Sequence, residues 1–130
     1  MKELKGKVAV ITGAGSGIGR ALAQACAAEG CHVALADINE QGLRETEQSI
    51  ADTGVRTSVH IASVSDRERM AALPAEIEQL HGAIHLLFNN AGVTVSKSFE
   101  DHTLADFDFL LGINQWGVIY GCHYFLPYLK

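Results

Sequence analysis

The chain has 130 residues, 48% of them apolar and 19% charged, the balance of an ordinary water-soluble globular protein with one core. Its formal charge of −5 argues against nucleic-acid or anionic-membrane partners, since both need a basic surface. No apolar run approaches the length of a membrane span and the polar N-terminus has no signal-peptide core, so a cytoplasmic location is expected.

Strand and helix signals alternate along the chain. Residues 7–12, with Val8, Ala9, Val10 and Ile11, predict a buried first strand. Next comes the run Thr12, Gly13, Ala14, Gly15, Ser16, Gly17, Ile18, Gly19, and then alanine-rich residues 20–29, which predict a helix closed by Gly30. A glycine turn between a strand and a helix leaves backbone N–H groups at the helix N-terminus with no side chain in front of them. Free donors and the helix dipole both favour negative charge there, so a diphosphate, and hence a dinucleotide, is the leading ligand.

Residues 31–36 predict a second strand that ends at Asp37. Leu43 and Ile50 give residues 40–52 a helical signal, closed by Gly54. Val55, Thr57, Val59 and Ile61 alternate with Arg56, Ser58 and His60, which predicts a half-exposed strand at a sheet edge. Ser65 and Glu68 have capping-box spacing. Behind them Met70, Leu73, Ile77 and Leu80 predict one helical face closed by Gly82, with Pro74 interrupting and kinking it. Residues 84–88 are continuously apolar, as in the middle of a parallel sheet. After Asn89 and Asn90 a loop leads to a short helix from about Leu104 and a longer one from about Gly112.

The pattern is β-α-β-α-β-α-β-α, with no repeat and no linker. It predicts one dinucleotide-binding domain over residues 1–130, an α/β fold with a Rossmann-type doubly wound parallel sheet of four strands in the order 3-2-1-4. That order puts the alternating third strand at the edge and leaves the fourth, central in character, without a second neighbour.

The glycine spacing is G-x-x-x-G-x-G, carried by Gly13, Gly17 and Gly19. With Thr12 in front and Ile18 between the last two glycines, the turn resembles that of the short-chain dehydrogenase/reductase family. Asn89, Asn90, Ala91 and Gly92 resemble that family's N-N-A-G after the fourth strand. Asn114 to Gly117 falls where its N-x-x-G helix motif does, and Asp37 is its acidic residue after the second strand. The resemblance covers essentially the whole chain in the family's order. It implies an oxidoreductase that interconverts an alcohol and a ketone with a nicotinamide dinucleotide. It also implies a homo-oligomer, with Trp116, Tyr120 and Phe125 as core or interface residues of the last helix. Cofactor contacts are implied for Gly13, Ser16, Gly17, Ile18 and Gly19, for Asp37 and Ile38, for Ser63 and Val64, and for Asn90, Ala91 and Gly92. Asn89 and Asn90 could equally satisfy loop backbone, and Gly19 beside Ala23 could equally serve helix–sheet packing.

At the end of the second strand a carboxylate can accept both ribose hydroxyls of NAD. A 2′-phosphate would face that carboxylate. Two unit charges about 4 Å apart at an effective dielectric of roughly 20 repel by about 4 kcal/mol, and half of that is still more than tenfold in affinity. Ser16 stands where NADP-preferring members often carry Lys or Arg, and only Arg20 and Arg44 are near in sequence, so NAD is expected over NADP. After the third strand the family usually has Asp-Val, the Asp bonding the adenine amino group. Ser63 and Val64 replace that pair here. A serine hydroxyl can hydrogen-bond adenine without a charge, and the sequence leaves open whether Ser63 does so.

In the family a Tyr with a Lys four residues on moves the proton, a Ser orients the substrate, and the helix Asn holds a water in the relay. Asn114 matches that Asn. None of Tyr120, Tyr124 and Tyr128 has a Lys four residues later, and their rings read as packing on an amphipathic helix. The chain is therefore expected to be the cofactor-binding half of an enzyme, truncated before the catalytic Ser and Tyr-x-x-x-Lys, and inactive by itself. The alternative is a non-catalytic nucleotide-binding or interaction module that pairs with another chain. An S-adenosylmethionine methyltransferase fits poorly, because its glycine turn follows an acidic residue and Thr12 stands there. Cys26, Cys31 and Cys122 lack C-x-x-C spacing and are expected as reduced thiols. His81 and His85 straddle Gly82, the other histidines show no metal spacing, and no metal is expected. The substrate is unreadable, since Val93, Thr94 and Val95, the residues nearest its pocket, name no chemical class.

Overall fold

The computed structural model describes residues 3–92 and 99–130, so Val93, Thr94 and Val95 lie outside the described residues. Strands β1 (Val8–Thr12), β2 (His32–Asp37), β3 (Thr57–Ile61) and β4 (Leu86–Phe88) form a parallel sheet in the order β3-β2-β1-β4. Helices α1 (Gly17–Ala28), α2 (Glu40–Ser49), α3 (Arg67–His81), α4 (Leu104–Leu111) and α5 (Gly117–Leu129) follow the strands in turn. This is the doubly wound α/β arrangement, a Rossmann-type fold. Ala9, Ile11, Val33 and Leu35 pack with α1 and α2 on one face. On the other, Val10, Ala34 and Ala36 pack with Met70, Ile77 and Phe125 of α3 and α5. With helices on both sides and strands on both edges, β1 is buried along its whole length.

The register decides where ligands can go. Thr12 pairs with Ala36 and Asp37 with Ile61, so the glycine turn, Asp37 and residues 62–64 emerge at one end of the sheet. In open α/β sheets that C-terminal end, where strand order reverses about β1, is the crevice.

Several local expectations are corrected. The first helix opens at Gly17 rather than Arg20, so Gly17, Ile18 and Gly19 form its first turn. Asp66, not Ser65, caps α3 by accepting from the Arg69 N–H, because Ser65 is drawn into a turn with Ser63. α3 runs on through a buried Pro74. Leu80 is 56% exposed, and buried His81 takes its place, since a helix face can continue at i+4 as well as i+3. A π-helical turn, Gly112–Trp116, joins α4 to α5 inside the helical region expected from Gly112. Phe125 is core, Trp116 is half exposed, and Tyr120, Tyr124 and Tyr128 pack against the second core layer.

The edge strand is also inverted at its end. His60 is buried and Ile61 is exposed, because pairing with Ala34 and Ala36 turns Ser58 and His60 toward α3. Polar partners make that burial tolerable. Ser58 Oγ lies 2.7 Å from both His60 Nε2 and His81 Nε2, His60 Nδ1 bonds the Glu76 carboxylate, and Arg69 donates to both Glu76 oxygens. Burial, then the Arg56, His60 and His32 charges, push His81 down to about 4. Its Nδ1 is buried without a hydrogen-bond partner among the described residues.

Unfolded His81 protonates near 6.5 and the folded form near 4, so the unfolded chain binds more protons between those values. His81 thus contributes stability that is complete above about pH 6.5 and falls toward pH 4, by up to about 3 kcal/mol. Urea midpoints measured from pH 7 to pH 4 are expected to fall, and His81→Gln to flatten the fall. Equal slopes for the two proteins would place the proton elsewhere.

Candidate functional site

The strand ends open into a cleft of ≈ 400 Å³. Gly13, Ser16, Gly17 and Ile18 line it from the turn after β1, and Asp37 and Ile38 from the end of β2. Ala62, Ser63 and Val64 follow β3, while Asn90, Ala91 and Gly92 follow β4. Of the cofactor contacts expected from sequence, Gly19 is the one that does not line the cleft, and the expected relay residue Asn114 lies outside its lining too. Gly19 is buried under the turn, where an added Cβ would stand 2.0 Å from the Gly13 carbonyl oxygen. Ala62 and Ile113 line the cleft without having been anticipated, and only their adjacency to Ser63 and Asn114 could have flagged them.

Helix caps set the electrostatics of the cleft. α2, α3 and α4 are capped by Asn39, Asp66 and Thr103, each accepting a backbone N–H. α1 begins after Ser16 with no side-chain cap bond and no acidic residue in its first turn. Its leading amides therefore keep donor capacity and the positive end of the dipole unshielded by side chains.

Asp37 stands opposite. Its Oδ2 accepts the Gly15 N–H at 2.9 Å and its Oδ1 the Asn39 N–H at 3.1 Å. Each carboxylate oxygen has a second lone pair, so Asp37 fixes the turn and can still accept donors from the cleft.

Two sets of struts hold this geometry; the sequence offered a loop-backbone role for Asn90 but not its partners, and no role for Thr12 or Thr46. Thr12 Oγ1 accepts the Asn90 and Ala91 N–H groups at 3.0 and 3.1 Å, and the Asn90 amide donates to the Thr12 and Gly13 carbonyls at 3.2 and 3.3 Å. Asn90 thus both lines the cleft and satisfies loop backbone. On the other side the Arg20 guanidinium donates to the Gly15 carbonyl at 2.8 Å, the Gly42 carbonyl at 3.2 Å and Thr46 Oγ1 at 2.9 Å, and pairs with Glu45. Thr46 in turn donates to the Ala14 carbonyl at 2.7 Å. A cation in the first turn of a helix opposes the dipole, and that oddity was the available signal that Arg20 has fixed partners.

Asn114 sits in the π-helical turn, exposed, with its Oδ1 3.4 Å from where a Cβ on Gly92 would stand. Ser63 Oγ is 2.8 Å from Ser65 Oγ. Among the described residues no group of three or more His, Cys, Asp and Glu is placed to hold a metal ion, and no helix is long and apolar enough to cross a membrane. Cys26, pushed up to about 11 by burial and then by Cys31, lies in the α1 core away from the cleft.

The sequence pattern of the family described as short chain dehydrogenase matches residues 7–130. A short chain dehydrogenase/reductase from Burkholderia phymatum, solved in complex with NAD, is 38% identical and superposes with a TM-score of 0.93, covering 99% of this chain and 46% of that one. An NAD+-bound xylitol dehydrogenase is 32% identical with a TM-score of 0.93, over 98% of this chain and 50% of its own. Levodione reductase of Leifsonia aquatica is 35% identical over 127 residues, which are 95% of this chain and 48% of the reductase. The chain spans about half the length of these relatives.

Proposed function

The chain belongs to the short-chain dehydrogenase family, and from that premise we propose that it is the NAD-binding portion of an oxidoreductase acting on an alcohol or ketone. One observation carries the reading: α1 enters the cleft with no side-chain cap bond from its N-cap residue Ser16, and the Asp37 carboxylate forms the facing wall. A diphosphate against Gly13, Ser16, Gly17 and Ile18 would satisfy those donors at the positive end of the dipole, with Gly19 backing the turn. Asp37, with Ile38 beside it, would take the adjoining ribose. Ser63 and Val64 would face the base, and Asn90, Ala91 and Gly92 the remaining wall. When bound, the nicotinamide supplies the hydride acceptor or donor. Asn114, beside Gly92, would order the relay water that the family resemblance implies.

The partners of the nearby cations support NAD over NADP. Arg20 is committed to Gly15, Gly42, Thr46 and Glu45, and Arg44 pairs with Glu40 and Glu47. Both already have partners that a 2′-phosphate beside Asp37 would have to displace, Arg20 a set of four and Arg44, itself exposed, two carboxylates. Calorimetry is expected to register heat with NAD and at least about tenfold weaker binding of NADP. Silence with both dinucleotides would overturn the reading.

Residues 1–130 alone are expected to turn nothing over, since no Tyr has a Lys four residues on. Loss of a positioned general acid/base costs about 10²- to 10⁴-fold. Nicotinamide reduction followed by absorbance with a set of secondary alcohols checks this, and clear turnover by these residues would refute it.

Leu104, Trp116, Ile119 and Leu126 are exposed, and among the described residues β4 lies at the sheet edge. These apolar side chains support a homo-oligomer. They also favour a second reading, a non-catalytic module that pairs with another chain. A monomer on size-exclusion chromatography would count against both.

A further inference from the structure

Ser63 and Ser65 form a hydroxyl pair at the outer end of the cleft. Their oxygens are 2.8 Å apart, and the Ser65 N–H donates to Ser63 Oγ at 3.3 Å. A dinucleotide is a linear molecule. With its diphosphate at the turn after β1 and its ribose at Asp37 after β2, the purine must lie at β3, the outermost strand. There the cleft is lined by Ile38, Ala62, Ser63 and Val64, of which Ser63 alone has a polar side chain. Resting on the NAD-site reading above, we infer that this hydroxyl pair meets the purine C6 position in either hydrogen-bonding sense, so that the cleft takes a 6-oxopurine dinucleotide as readily as the adenine one.

A hydroxyl has one proton and two lone pairs. In Ser63 the Ser65 N–H occupies one lone pair. If the Ser63 proton is donated to Ser65 Oγ, the second lone pair of Ser63 faces the cleft and accepts the adenine amino group. If instead the Ser65 hydroxyl donates to Ser63, the Ser63 proton faces the cleft and is donated to a C6 carbonyl. The two states exchange by rotating two hydroxyls, without moving backbone. A carboxylate at residue 63 has only acceptors and would meet a C6 carbonyl with lone pairs opposed.

Calorimetry on the full chain with NAD and with nicotinamide hypoxanthine dinucleotide tests this. The two dissociation constants are expected to agree within about fivefold, a gap of about 1 kcal/mol. In Ser63→Asp the gap is expected to widen beyond about tenfold in favour of NAD. A wild-type preference for NAD greater than fivefold overturns the inference and leaves the NAD site standing. Binding of neither compound overturns both. Should Ser63→Asp fail to fold, Ser63→Ala takes its place: both dinucleotides are expected to bind it more weakly than the wild type by a similar factor, and unchanged affinities would overturn the inference.

Discussion

Gly19→Ala is expected to abolish dinucleotide binding and to cost about 3 kcal/mol or more of stability, the upper range for overpacking a closed site. The added Cβ would stand 2.0 Å from the Gly13 carbonyl oxygen and 2.7 Å from Asn90 Nδ2. Neither neighbour can yield cheaply. Gly13 is backbone, and the Asn90 amide is held by the Thr12 and Gly13 carbonyls. Relief requires α1 to lift or the turn to open, and either move displaces the amides that face the cleft. Gly17→Ala is the companion measurement. Its Cβ would meet nothing within 4 Å, but its φ of +56° lies in the left-handed region, so its expected cost is conformational, about 1–2 kcal/mol. Urea denaturation of both variants separates the mechanisms. Equal losses would mean that contact with Gly13 is not what residue 19 avoids.

Asp37→Asn is expected to shift the preference between NAD and NADP by at least about tenfold toward NADP, and to weaken NAD itself. The substitution keeps the shape and one acceptor oxygen, so one of the Gly15 and Asn39 N–H groups keeps its partner while the charge that would oppose a 2′-phosphate is removed. Asp37→Ala is different in kind. It removes the acceptors of both the Gly15 and Asn39 N–H groups, so the turn loosens and both dinucleotides are expected to bind poorly. Paired titrations of the two variants distinguish a charge effect from a lost strut. If the ratio in Asp37→Asn matched that of the unmodified chain, Asp37 would have no part in cofactor choice.

The strand and helix order, the edge position of β3 and the placing of the glycine turn at the mouth of β1 were determined by the sequence alone. Each rests on local chemistry: a period of two or of 3.6, a glycine closing a helix, an acid at a strand end. The residues that gather at the cleft were mostly legible for the same reason, since in a doubly wound sheet every strand ends at the same crevice. What the tertiary structure decided is which polar groups hold that crevice in shape. Thr12 with Asn90, Arg20 with Gly42 and Thr46, and, on the α3 side of the sheet, Ser58 with His81 join residues separated by 22 to 78 positions. No local period encodes such a pairing. It exists only once the sheet's register has brought the two segments together and burial has made an unpaired donor or acceptor costly.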